Sequence, residues 1–129
     1  MERLTNYNFN LDIHLIESIH GGDQEFEIIF YTRNKEKYKM VFDHVWDMRY
    51  SIEEASIERF YQFRKHLKEG IKESSVYLVE DSEYIKYFEK QVSGTRPINK
   101  LKHYIVSDDI DTTLDILTTK ELQLEKYED

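Results

Sequence analysis

Strict alternation of apolar and polar residues constrains the fold of this chain more than any other feature. Residues 9–15 and 26–30 place apolar side chains at every second position. A period of two predicts strands with one buried face. Between the two segments lies Gly21-Gly22-Asp23, where a tight turn can use the positive φ that glycine adopts at little cost.

A third strand is predicted from Lys37, after a polar turn at residues 34–36. Its even positions from Met40 to Met48 are apolar except at His44, which we expect to be a hydrogen-bonded residue of the core or its boundary. A strand of this length is expected to bend or to carry a bulge. Three strands with short turns predict an antiparallel meander.

Two helices are predicted in the second half. The sequence from Ser51 to Glu54 matches a capping box, so a helix is expected over residues 51–70. Ser82 is the expected N-cap of a second helix that ends by Gly94. Its expected buried stripe comprises Ile85, Phe88 and Val92.

Strands are predicted around these helices, at residues 76–79 and 101–106. Residues 110–116 alternate and favour a last strand, although a short helix from Asp109 fits almost as well. The element order is therefore β-β-β-α-β-α-β-β. It predicts an α+β fold in which two helices pack on one face of an antiparallel sheet of five to six strands.

The length of 129 residues fits a single domain over positions 1–129. The acidic segment 121–129 is expected to fray. Cysteine is absent, which excludes a disulfide framework and a thiolate nucleophile and suits a reducing compartment. With no signal-peptide pattern and no long apolar run, the expected location is the cytoplasm.

An excess of carboxylates gives the chain a net charge of −8. An acidic surface repels phosphate backbones, so a nucleic-acid partner is not expected. The same charge can steer association with a basic protein, or serve only solubility.

Motifs that carry chemistry are missing. The five histidines lack metal-ligand spacing. Of these, His103 is expected to be a core or boundary residue like His44. The carboxylates at Asp108, Asp109 and Asp111 do not continue as a calcium loop and are expected to form a solvated turn. No catalytic residue, metal or cofactor is therefore predicted, and an enzyme is the less favoured reading.

Residues 42–50 are the most distinctive segment, because Asp43, Asp47 and Arg49 stand beside Trp46 on a predicted strand. An exposed patch of tryptophan, tyrosine and arginine is typical of protein-binding hot spots. The alternative is an ion pair on a solvated sheet face.

A polar loop at residues 93–97 contains Arg96, which can either bind an anion together with backbone N–H groups or end the helix. The candidate interaction residues are therefore Asp43, Trp46, Asp47, Arg49 and Arg96.

Three segments carry a family resemblance: FDHVWDMRYSIEEASIERF, VYLVEDSEYIKYFEKQVSGTRP and LKHYIVSDDIDTTLDIL. They resemble a family of small, mostly uncharacterised proteins from Gram-positive bacteria, over most of the chain from about Phe26. Some relatives resemble immunity proteins that neutralise polymorphic toxins. The resemblance implies a cytosolic, non-enzymatic, protein-binding role and assigns no functional residue.

The leading hypothesis is a protein-binding module, in particular an immunity-like inhibitor of a toxin or nuclease. One rival is a small enzyme or ligand-binding domain with a site between sheet and helices. Its candidate groups are His44, Asp47, Arg49, Arg96 and His103. Another rival is a homodimeric structural protein without a foreign partner.

Overall fold

The computed structural model describes residues 3–7, 12–22, 24–52, 75–92, 100–110 and 112–127. These residues form nine strands and one helix. In chain order they are β1 (Arg3–Asn6), β2 (Leu15–Gly21), β3 (Glu25–Tyr31), β4 (Lys37–Asp43), β5 (Val45–Ile52), β6 (Val76–Glu80), α1 (Glu83–Gln91), β7 (Lys102–Ser107), β8 (Thr112–Thr118) and β9 (Gln123–Lys126). Within these residues no helix is both long and apolar enough to cross a membrane.

The strands form two antiparallel sheets that share one apolar core. A five-stranded sheet has the order β1-β6-β7-β8-β5, and a four-stranded sheet has the order β2-β3-β4-β9. Phe42 of the smaller sheet meets Tyr104 of the larger one edge-on, with ring centroids 5.5 Å apart. Alternation supplies the core from both sheets, since Ile28 of β3, Tyr104 of β7 and Ile116 of β8 all face it.

The predicted α+β fold with two helices is wrong. The described residues are mostly strand, in two sheets rather than one, with a single short helix. Ser51 and Ile52 belong to β5, where they pair with Thr113 and Thr112, so Ser51 is not a helix cap. The rest of the predicted first helix, residues 53–70, lies outside the described residues.

The segment read as one long strand is two strands in different sheets. The chain passes from β4 to β5 at His44, which has a φ of +50° and donates its backbone N–H to the carbonyl of Gln24 at 3.1 Å. His44 is exposed, so its predicted core position is wrong. The expected irregularity is confirmed, because the register of β5 shifts between Val45 and Asp47.

The later predicted elements agree better with the structure. β6, β7 and β8 fall where strands were expected, and residues 112–118 are strand rather than helix. Ser82 is the N-cap of α1, accepting the backbone N–H of Ile85 at 3.1 Å. The buried residue of α1 is Tyr84, whereas the predicted stripe residues Ile85 and Phe88 are only partly buried.

The ends of the described chain contain strands that alternation did not indicate. β1 pairs with β6, and β9 pairs with β4 within the acidic segment for which the sequence predicts fraying. Lys39 of β4 bridges Glu125 of β9 at 3.4 Å and Glu27 of β3 at 3.4 Å. Of the strand predicted at residues 9–15, residues 9–11 lie outside the described residues and residues 12–14 are not strand, so β2 begins at Leu15.

The turn between β7 and β8 is confirmed, and its first carboxylate has a structural role. Asp108 accepts the backbone N–H of Ile110 at 3.0 Å and of Thr112 at 2.9 Å. Its other oxygen accepts the N–H of Ile16 at 3.0 Å. The carboxylate therefore ties the loop of the larger sheet to β2 of the smaller one.

The turn between β2 and β3 gives a stability prediction. Gly21 has a φ of +113°, and a Cβ at this position would lie 2.2 Å from the carbonyl oxygen of Glu25. We expect Gly21→Ala to reduce the free energy of unfolding by about 1–3 kcal/mol in urea titrations. Gly22→Ala is the control, because nothing lies within 4 Å of a Cβ there. Equal stability of the two variants would contradict this account of the turn.

Candidate protein-interaction surface

β5 is an edge strand with large apolar side chains open to solvent. It lies at the end of the five-stranded sheet and, among the described strands, pairs only with β8. Trp46 is 45% exposed and Tyr50 is 56% exposed, and Ile52 is exposed as well. Monomeric proteins usually protect such an edge, so an exposed aromatic edge indicates a contact surface.

Trp46 is exposed because of how the chain enters the sheet. Val45 pairs with Thr118 and Asp47 pairs with Leu117, so Trp46 is the extra residue of the bulge. Bulges re-aim side chains at sheet edges. The crossover at His44 and this bulge together separate Trp46 from the core residue Phe42.

Asp47 and Arg49 converge on Tyr84 of α1. The Tyr84 hydroxyl donates to Asp47 Oδ2 at 2.7 Å, and Arg49 Cζ lies 3.6 Å from the centre of the Tyr84 ring. The second contact has cation–π geometry. These interactions join β5 to the helix and hold the two opposite charges on the outer face of the sheet.

A shallow depression of about 780 Å³ lies where α1 meets β5. Its lining mixes both signs of charge with two tyrosines: Arg49, Glu83, Tyr84, Lys86, Tyr87, Glu89 and Lys90. Lys86 is engaged by Asp81 at 2.8 Å and by Glu83 at 3.5 Å. Tyr87 is 58% exposed at this position.

Beneath Tyr84 lies a buried chain of polar side chains. His103 Nδ1 is 2.7 Å from Ser82 Oγ, and His103 Nε2 is 2.6 Å from Asp115 Oδ1. Tyr84 packs edge-on against the His103 ring, with centroids 5.2 Å apart. His103 is therefore confirmed as a hydrogen-bonded core histidine.

One assignment of protons satisfies the hydrogen bonds of this network. Ser82 Oγ already accepts the N–H of Ile85, so its hydroxyl donates to His103 Nδ1, and His103 Nε2–H donates to Asp115. A serine, a histidine and an aspartate in series resemble a nucleophilic triad. Here, however, Ser82 is 4% exposed and caps the helix, so the network fixes α1 on the sheet.

The candidate interaction residues that the structure describes lie in two places. Trp46, Asp47 and Arg49 share β5, and the latter two meet at Tyr84. Asp43 is half-buried at the end of β4, and its carbonyl accepts the Thr118 hydroxyl at 2.7 Å. Arg96 lies outside the described residues.

Sequence reasoning missed Tyr84 and Tyr87, and it included Tyr50 only as part of the segment 42–50. Tyr50 continues the even-numbered series that contains Trp46, which was a usable signal. Tyr84 stands four residues before Phe88, at helical spacing. Its contact with Asp47 joins residues 37 positions apart, and no local pattern reports that. We refer to Trp46, Asp47, Arg49, Tyr50 and Tyr87 together as the β5–α1 surface.

Comparison of the chain with protein-family models, with curated proteins and with solved structures finds no match. The surface must therefore be interpreted from its own chemistry.

The buried network gives a second stability prediction. Replacing His103 by alanine leaves Asp115 without its imidazole partner in the protein interior. We expect His103→Ala to cost about 3–5 kcal/mol in the free energy of unfolding. His14→Ala is the matched control, since His14 meets Asp109 at 3.3 Å on the surface and should cost at most about 1 kcal/mol. Similar urea midpoints for both variants would show that the buried pair contributes little.

Tyr84 gives a prediction at alkaline pH. Burial, aided by the hydrogen bond to Asp47, raises the pKa of its hydroxyl well above the ordinary value of 10.0. The unfolded chain ionises this group first, so its contribution to stability is complete below pH 10.0 and is lost as the pH rises towards the folded pKa. We expect Tyr84→Phe to flatten the fall in stability above that pH. Tyr87→Phe, which alters an exposed ring, is the control and should retain the fall.

Proposed function

We propose that this chain is a non-enzymatic protein-binding module whose contact site is the β5–α1 surface. The observation that carries the proposal is the exposure of Trp46 and Tyr50 on an edge strand, beside the charged pair Asp47 and Arg49. Binding hot spots are enriched in tryptophan, tyrosine and arginine because these side chains combine large apolar area with directed polar contacts. Aromatic rings also lose little conformational entropy when they are fixed.

The partner we propose is a basic protein, and the role is that of an immunity-like inhibitor acting in the cytoplasm. The net charge of −8 supports a basic partner, because opposite net charges accelerate encounter. A nuclease toxin fits this description, since it holds phosphates with lysine and arginine.

A ligand-binding or catalytic site is less well supported by the same geometry. Arg49 does line the depression, and Asp47 accepts the hydroxyl of Tyr84, which lines it as well. His103 does not reach it, because the ring is 1% exposed and both nitrogens lie against Ser82 and Asp115. His44 is elsewhere, at the crossover between the sheets. The described residues that line the depression therefore include no histidine.

The proposed function is tested by co-expression with a toxin encoded next to the gene. The unmodified chain should bind the toxin and protect the cells. We expect Trp46→Ala to weaken binding by about thirtyfold, as the loss of a hot spot of about 2 kcal/mol would.

Ile110→Ala is the matched control for this experiment. Ile110 is 48% exposed but lies in the turn between β7 and β8, outside the β5–α1 surface. It should leave both binding and protection unchanged. A chain that neither binds nor protects would refute the proposed function.

A further inference from the structure

The edge of β5 that no described strand covers is complementary to itself, and we infer that it binds a second copy of this chain by antiparallel β5–β5 pairing. The inference goes beyond the proposed function, because it assigns a second copy of this chain to the β5 part of the same surface. An edge strand presents unpaired backbone N–H and C=O groups, which a second strand can satisfy. Among the described strands, only β8 pairs with β5.

Symmetry restricts the registers in which two such edges can meet. A two-fold axis perpendicular to the sheet keeps the same face of both copies on the same side. Directly paired residues must then be an even number of positions apart in the sequence, so the axis passes through a residue and not between two residues. An axis at position 47 would place Asp47 against itself, and an axis at position 49 would place Arg49 against itself. Like charges directly opposite each other are destabilising in a sheet.

An axis at Met48 gives the favourable register. Asp47 then lies opposite Arg49 of the second copy, and Arg49 lies opposite the second copy's Asp47. Both side chains are on the outer face of the sheet and exposed in the single chain. Opposite charges at directly paired positions stabilise a sheet, and the symmetry provides the pair twice.

The same register brings the exposed aromatic residues close together. Trp46 is the extra residue of the bulge and is not directly paired, but it lies at the level of Tyr50 of the second copy, and the symmetry repeats this approach. The pairing would cover two side chains that are about half exposed in the single chain.

Charges on an edge strand often prevent pairing, but the pattern on β5 does not have that effect. Protective edges carry charges, most often lysine, that would be buried or repelled when a second strand approaches. On β5 the two charges are opposite in sign and two positions apart, so they neutralise each other across the axis. The pairing uses the edge of each copy once, and assembly therefore stops at a dimer with one continuous sheet.

Sedimentation at micromolar and near-millimolar concentrations tests the dimer, and charge variants test the register. The unmodified chain should associate as the concentration rises. Asp47→Arg and Arg49→Asp each turn both opposite-charge pairs into like-charge pairs, which should weaken self-association about tenfold. An unmodified chain that stays monomeric throughout would overturn the inference.

Mixing the two charge variants provides the decisive control. One variant then carries two cations and the other carries two carboxylates, so the mixed pair restores both opposite-charge contacts. We expect a heterodimer to form on mixing, although each variant alone is weakened. A mixture that associates no better than its components would overturn the proposed register.

A cross-link decides the question if a charge variant fails to fold. The chain has no cysteine, so a single introduced thiol is unique. At the two-fold axis the paired Cα atoms lie about 4.5–5.5 Å apart, within the range of a disulfide. Met48→Cys should therefore give a disulfide-linked dimer on mild oxidation.

Ser51→Cys is the matched control on the same strand. Position 51 faces position 45 of the second copy, so the two introduced thiols are six residues apart, or about 20 Å at about 3.4 Å per residue. This variant should stay uncross-linked. Equal cross-linking of both variants would overturn the inference.

The outcomes separate this inference from the proposed function. A chain that protects against the toxin but remains monomeric overturns the dimer and leaves the proposed function intact. A chain that dimerises through β5 but neither binds nor protects supports the dimer and overturns the role as an inhibitor.

Discussion

The burial of one apolar core between two sheets is the constraint on which the rest of the structure depends. Phe42 and Tyr104 meet across that core, and each belongs to a strand that must keep its apolar face turned inward. To place β4 in one sheet and β5 in the other, the chain crosses between the sheets at His44, which has a left-handed backbone conformation. Because the crossing is sharp, it leads directly into the bulge that leaves Trp46 at the surface.

The outer face of the larger sheet combines a buried polar network with a small apolar cluster of Tyr77, Val79 and Ile105. The series Ser82, His103 and Asp115 fixes the start of α1 over β7 and β8, with every member almost fully buried. Tyr84 packs against His103 of this network, donates a hydrogen bond to Asp47 and makes a cation–π contact with Arg49 of the edge strand. A buried network of this kind therefore sets the arrangement of charges at the surface, which links core stability to recognition.

Local alternation predicted strands well and their assembly poorly. It located β3 and β8, because a period of two directly reports which side chains share a face, whereas β6 was indicated by a short β-prone run. It does not report which sheet a strand joins, and so the segment around His44 was read as continuous. The site residues show the same division. Trp46, Asp47 and Arg49 could be predicted from the composition of one segment. Tyr84 could not, because its role depends on the topology that brings α1 onto the sheet.

The pairing of β4 with β9 has a consequence for synthesis of the chain. Met40 is the partner of Leu124, whereas β3 and β4 are neighbours joined by a short turn. During translation β3 and β4 can therefore meet early, but the other edge of β4 stays open until β9 has emerged from the ribosome. Distant pairings of this kind slow folding and leave sheet edges exposed to other nascent chains. Chaperone dependence during biosynthesis, rather than weakness of the folded state, is the vulnerability that this topology creates.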